Sequence, residues 1–273
     1  MKKVKKYNVV PAALLFIGSI IMVFPFVWMV LSSFKTTADV VSYPPRWLPS
    51  VWVTDSYAKV FELVPFITYY GNSIYTSVAQ TALQITVSIF AAYPLAKLQF
   101  PGKHAISLML RSSLFIPGVV TTIPLFFIVS KLRLVDTYAG IILPQIFSAF
   151  IIMMLISFFS ELPNELNEAA IIDGCSYYRI LFSVIIPNSV TAITTATLFS
   201  FLGHWKSYLW PLIVTNRTSL RTLPIGLKYL IQETSNDYEV MMAAAVMTVV
   251  PVLLLYICYE KQLVKSITLT GIK

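Results

Sequence analysis

At 273 residues the chain could hold one or two soluble domains, but 57 % of its residues are hydrophobic and only 12 % are charged, against about 25 % charged in an average globular protein. With a mean hydropathy of +0.77, most of its outside must face something apolar. That excludes disorder, collagen and disulfide scaffolds and makes the chain an integral membrane protein. Its net charge is +8, but the bases stand singly between apolar runs. This suits inside-positive loops and lipid headgroups rather than nucleic acid. Cys175 and Cys258 are the two cysteines and form no CxxC, so neither a redox nor a metal role is supported.

In chain order, four lysines within Met1–Lys6 precede an uncharged run from Tyr7 to Phe34. A secretory leader has an apolar stretch of about 7–15 residues and a small-x-small cleavage site. This run is longer and ends in Ser32-Ser33-Phe34-Lys35, which predicts a retained first span. Further runs of about 20 mostly apolar residues complete the set: 11–33, 70–96, 107–130, 138–160, 188–213 and 240–259. The expected fold is all-α, one membrane domain over 1–273 with six transmembrane helices. The third span is the least regular, with Arg111 near its start and Pro117 and Pro124 inside. No Gly-x-x-x-Gly spacing offers a close helix pairing. With both termini on the cytoplasmic side, eleven of the twenty bases fall in inside segments, including Lys2, Lys3, Lys5 and Lys6. The other nine are spread mainly over two long outer loops, 34–68 and 212–239. Short segments decide orientation, so the N-terminus is expected inside.

The loop between the fourth and fifth spans, 161–187, breaks the charge pattern: four acids stand against Arg179 alone. It reads as two short helices. Pro163 suits a first helical position, acids crowd the first turns, and Gly174 suits a helix end. Tyr177, Ile180, Leu181, Val184 and Ile185 then recur at helical spacing as one apolar stripe, and Pro187 stops or bends the helix into the fifth span. A lipid-binding surface helix would be rich in Lys and Arg. An acidic hairpin at the membrane face points instead to a protein partner.

Polar residues inside spans mark candidate linings of a path. On the second span Asn72, Thr76, Gln80, Gln84 and Ser88 recur every four residues, and on the fifth Asn188, Thr191, Thr195 and Ser200 do similarly. Neutral hydrogen-bonding groups suit a hydroxyl-rich solute better than an ion, though such groups also bond helix to helix. Tyr69, Tyr70, Trp205, Tyr208 and Trp210, with His204, read as an interfacial belt.

Enzyme signatures are missing. The one Gly-Lys pair, Gly102-Lys103, is followed by His104 and is no Walker A. No His-Glu-x-x-His or Gly-x-Ser-x-Gly occurs, and the two histidines are far apart in sequence. No catalytic or metal-binding set is expected.

Glu168-Ala169-Ala170, Gly174 four residues later, and Val184-x-Ile186-Pro187 resemble the EAA motif of ABC importer permeases, with Val for Ile and Ile for Leu. Further stretches are similar to the carbohydrate-uptake branch, near the smaller maltose permease: Phe24-Pro25-x-x-Trp28-Met29, Ser33-Phe34-Lys35, Asn72-Ser73, Ala91-Ala92-Tyr93-Pro94-Leu95-Ala96-Lys97, Asp136-Thr137-Tyr138-Ala139-Gly140 and Thr222-Leu223-Pro224-Ile225-Gly226-Leu227. The tail is only similar, since the branch commonly has glycine where Ser266 and Thr270 stand. The resemblance implies a bacterial cytoplasmic-membrane subunit importing a sugar or oligosaccharide by alternating access. Its partners would be a homologous second permease, two cytoplasmic ATPases and an external solute-binding protein. ATP and Mg would be bound by the ATPases, with no cofactor in this chain. Glu168, Ala169, Ala170, Asp173 and Gly174 would form the ATPase-coupling joint, Asn72, Gln80, Gln84, Asn188, Thr191 and Thr195 remaining the path candidates. A permease for a non-sugar solute stays open, and further off a stand-alone carrier or channel.

Overall fold

The computed structural model describes residues 9–234 and 237–270, with side chains over 10–234 and 237–260. The described residues are almost wholly helical and contain no strand. The N-terminal lysines lie outside them, as do the side chains of Ser266 and Thr270. The chain divides into two compact units, one running through Phe66 and including Gly226–Val250, the other Ile67–Ile225 with Pro251 onward.

The first unit opens with α1 (Val9–Ser32), whose apolar side chains mostly point outward, as a lipid-facing helix requires. The expected outer loop 34–68 is not plain loop. It holds the one-turn α2 (Thr37–Val40) and α3 (Asp55–Leu63). Asp39 organises it: Oδ1 accepts from Arg46 Nη1 at 2.8 Å, and Oδ2 accepts from the Ser50 amide at 2.9 Å and its hydroxyl at 2.6 Å. Those Ser50 donors hold the Asp39 carboxyl below the usual carboxylate range. Lys35 is buried, donates to the Arg46 carbonyl at 2.7 Å and lies 4.0 Å from the Trp28 ring. Thr37 donates to Glu239 Oε1 at 2.7 Å, joining the two stretches of this unit.

The second unit is built on α4 (Phe66–Lys97). Next come α5 (Lys103–Ser113) and α6 (Gly118–Lys131), which meet at 107°. The expected span 107–130 is therefore broken: Pro117 and Gly118 interrupt it, because proline cannot continue the amide ladder of a preceding helix. At 11 and 14 residues the pieces measure about 16 and 21 Å, each short of a bilayer's roughly 30 Å core. Then α7 (Tyr138–Ile142), a 3-10 turn at Leu143–Gln145 and α8 (Ala149–Glu161) form a span bent by 43°.

Four contacts set the direction of that span. Tyr138 donates to Asn72 Oδ1, Gln80 to the Ile141 carbonyl, Gln84 to the Gln145 carbonyl and Lys97 to Asn164 Oδ1. Residue numbers rise together on both sides, so α4 and the 138–161 span are parallel. From Asn72 to Lys97 is roughly 38 Å of helix at 1.5 Å per residue. Residues 98–137, which hold α5 and α6, must return over that distance.

The acidic segment holds α9 (Asn164–Ile172), α10 (Tyr177–Ile180), a π-wound turn at Leu181–Ile185 and α11 (Ile186–Asn188). An 83° bend at Ser189 leads into α12 (Val190–Trp205). The expected fifth span, 188–213, instead ends at Trp205, and α13 (Leu209–Val214) follows separately. The expected outer loop 212–239 contains α14 (Leu223–Thr234), and α15 (Tyr238–Thr270) holds the apolar run expected as the last span, 240–259.

The aromatic belt is also corrected. Tyr69, Trp205 and Trp210 are buried, and the two tryptophans take internal partners. Trp205 meets Tyr70 edge-on and stacks on Phe201, and Trp210 Nε1 donates to the Gly140 carbonyl at 3.2 Å. That carbonyl is the one Pro144, lacking an N–H, leaves unpaired.

Candidate functional site

The acidic hairpin is rooted in its own unit and exposed at its tip. Pro163 sits just before the first helical residue, as the cap of α9, and Glu165 falls in the first turn, where a carboxylate complements the free amides. The root is tied to the end of α4. Lys97 Nζ donates to the Leu162 carbonyl and, at 2.9 Å, to Asn164 Oδ1, while the Tyr93 hydroxyl donates to Asn167 Oδ1 at 3.3 Å.

Helix α9 ends as its sequence requires. Gly174 has φ +75°, a conformation any Cβ makes costly. Its amide donates to the Ile171 carbonyl at 2.9 Å, and the Cys175 amide donates to the Ala170 carbonyl at 3.0 Å. This is the Schellman pattern, which pairs carbonyls a helix end otherwise leaves open. Ser176 then caps the second limb by accepting from the Arg179 amide at 3.4 Å.

The five coupling candidates fall into two groups. Ala170 is 8 % exposed and packs in a core with Phe159, Ile180, Leu181 and Ile185. Glu168, Ala169, Asp173 and Gly174 are exposed together on the tip. The apolar stripe is largely the root: Ile180, Leu181 and Ile185 bury against residues of α4 and α8, while Tyr177 stays exposed. What faces outward on the hairpin is mixed: Ile172 is 85 % exposed and Tyr178 71 %, and Glu165, Glu168 and Asp173 are exposed as well. Exposed apolar side chains of this size among polar ones suit a protein interface. The sequence offered Tyr93, Lys97 and Asn167 no role. The signal was there in Tyr93 and Lys97, four residues apart near a span's end, where polar side chains reach one neighbour.

The path candidates are occupied differently. Asn72 is buried, donates to the Ser219 and Arg221 carbonyls at 2.8 and 2.9 Å, and accepts from Tyr138 at 2.6 Å. Gln80 donates to Ile141 at 2.9 Å. Gln84 donates to Gln145 at 2.8 Å and accepts from Ser200 at 2.6 Å. These amides serve carbonyls beside the proline break at Pro144, as helix breakers in a membrane demand. Asn188 is exposed and donates to the Val184 carbonyl at 2.7 Å, Thr191 is half-buried, and Thr195 is buried and bonds Thr191 at 2.9 Å.

On the opposite end of the unit Asp136, at φ +61°, closes a loop. Its Oδ1 accepts from the Asn216 and Arg217 amides, both at 2.9 Å, and Oδ2 from Arg217 Nε at 2.7 Å. The amides of Arg217 and Asn216 hold its carboxyl below the usual range. Thr137 caps α7 by accepting from the Gly140 amide at 3.0 Å. No group of three His, Cys, Asp or Glu able to hold a metal occurs among the described residues.

Residues 84–267 match the family described as binding-protein-dependent transport system inner membrane component. The chain belongs to that family. This permease is 32 % identical over 256 residues to an arabinooligosaccharides transport system permease of Halalkalibacterium halodurans, covering 93 % of this chain and 92 % of that one. It is 32 % identical over 272 residues to a sulfoquinovosyl glycerol transport system permease of Agrobacterium fabrum, covering 98 % and 94 %. Its fold matches a chain of a bacterial ABC transporter that imports the acidic polysaccharide alginate, with a TM-score of 0.81, 23 % identity and coverage of 96 % and 99 %. The permease is thus a multi-pass protein of the cytoplasmic membrane and a transport subunit rather than an enzyme.

Proposed function

We propose that this permease moves a sugar or oligosaccharide inward, with ATP and Mg bound by separate ATPase subunits that seat the 161–187 hairpin. The observation that carries the reading is the tip itself, where Glu168, Ala169, Asp173 and Gly174 stand exposed beside Ile172 on a helix end fixed by hydrogen bonds. Glu168 is the polar contact, Ala169 permits close approach, Gly174 makes the turn, and Ala170 anchors the tip to the core. A homologous permease completes the membrane pair, both termini face the cytoplasm, and an external binding protein delivers solute to the interface. ATPase closure moves the hairpin, and the pair rocks between inward- and outward-facing forms. The two relatives whose names carry saccharide or glycoside cargo support the solute class.

The test is ATPase activity and labelled oligosaccharide uptake of the reconstituted complex, with saturating binding protein, for wild type, Glu168→Ala and Gly174→Pro. Loss of at least tenfold in both activities, with subunits still expressed, is the expected outcome. Undiminished transport in both variants, or uptake without any ATPase, would sink the coupling reading; coupled uptake of only a non-sugar solute would sink the cargo.

A further inference from the structure

A second feature lies at the Lys97 end of the second unit, between α5, α8 and the end of α4. A cleft of about 570 Å3 opens there. Its wall on α5 is Lys103, His104, Ser107 and Arg111. At 100° per residue these four share one arc of the helix. The rest of its lining is mixed, with Leu95, Met153 and Ile156 apolar and Gln99 and Ser160 polar, and no acidic side chain lines it. Lys103 spends one N–H on the Leu98 carbonyl at 2.8 Å, leaving two donors. The side chains of His104 and Arg111 have no hydrogen-bond or ion-pair partner among the described residues. Two fixed positive charges thus face an unpaired cleft.

The other side of α5 supplies the second half of the observation. The helix buries none of its residues; Met109, opposite the basic arc, is 71 % exposed, and Leu108, flanking that arc, is 57 % exposed. With its 107° turn into α6, α5 is suited to an interface, cationic toward the cleft and apolar toward lipid. An occupant with an anionic head and an apolar tail uses both sides. Free phosphate would use only the first, and an acidic protein segment would leave the apolar side without a role. Basic pockets between membrane helices hold lipid phosphates in this manner.

We infer that this cleft binds the phosphate headgroup of an anionic phospholipid, with Lys103 and Arg111 on the phosphate oxygens and the acyl chains along the Leu108 and Met109 side of α5. Arg111 supplies a planar fork for two oxygens and Lys103 a point charge.

The full chain, purified in mild detergent with its copurifying subunits and stripped of lipid, is titrated with phosphatidylglycerol, phosphatidylcholine or inorganic phosphate, and adducts are counted by native mass spectrometry. Wild type should retain phosphatidylglycerol at least fivefold over phosphatidylcholine. Lys103→Gln/Arg111→Gln should lose that preference, and Lys131→Gln, outside the cleft, should keep it. Arg111→Gln alone, at an exposed side chain, gives a partial loss and serves if the double variant does not assemble. Equal retention by wild type and the cleft variants, or no preference over phosphatidylcholine, overturns the proposal. Displacement of the lipid by millimolar inorganic phosphate overturns the lipid as the source. Transport is not part of the readout, so failure here leaves the importer reading untouched.

Discussion

At Gly140 a Cβ would run into the Leu134 carbonyl oxygen and come within 3.3 Å of Val214 Cγ2. The obstruction is backbone, which cannot swing aside, so Gly140→Ala should cost about 1–3 kcal/mol, read as a lower melting temperature of the detergent-purified protein. Nearby, Asp136 binds its proton more weakly folded than unfolded. Its stabilisation is therefore full above the ordinary Asp value of 3.8 and is lost as pH falls through the lower folded value. Asp39, held down by Ser50, follows the same sign. The Asp136→Asn variant should be less stable than wild type at pH 7, and the gap should begin to narrow as pH falls below about 4. A gap unchanged down to pH 3 would contradict the assignment. The Asp136–Gly140 run was noticed in the sequence as a resemblance, but its reason, a carboxylate closing onto amides 80 residues away, needs the fold.

Among elements, the hairpin shows how far sequence patterns reach. Acids at a helix start, Gly174 at its end and a stripe at helical spacing placed two short helices without any coordinates. They did not say which face goes where, because a stripe that docks on a partner and one that packs at home have the same period. Ile180, Leu181 and Ile185 pack at home. The break in the third span was not legible for a related reason. Hydropathy averages over a window and does not see that Pro117 and Gly118 turn the chain through 107°. Lys97 makes a direct test of the root. Lys97→Met keeps the apolar stem but removes the donor to Leu162 and Asn164, a loss of about 1–3 kcal/mol. Hydrogen exchange at 164–172 should rise while exchange in α12 stays as in wild type.

For the whole permease, the all-helical, membrane-spanning character was legible from composition and hydropathy, and α4 runs parallel to the 138–161 span. The polar stripe on α4 was legible too, but its partners were not, since a glutamine aimed at a solute and one aimed at a stranded carbonyl look alike in sequence. Gln80 and Gln84 are four residues apart, and so are the carbonyls they meet, Ile141 and Gln145. They act as two teeth in a rack. Any slide short of four residues, roughly 6 Å, would break both bonds at once, and at the buried Gln80–Ile141 pair it would leave amide and carbonyl unpaired. These two spans must therefore travel as a single plank, and whatever flexing transport requires has to be found at other joints.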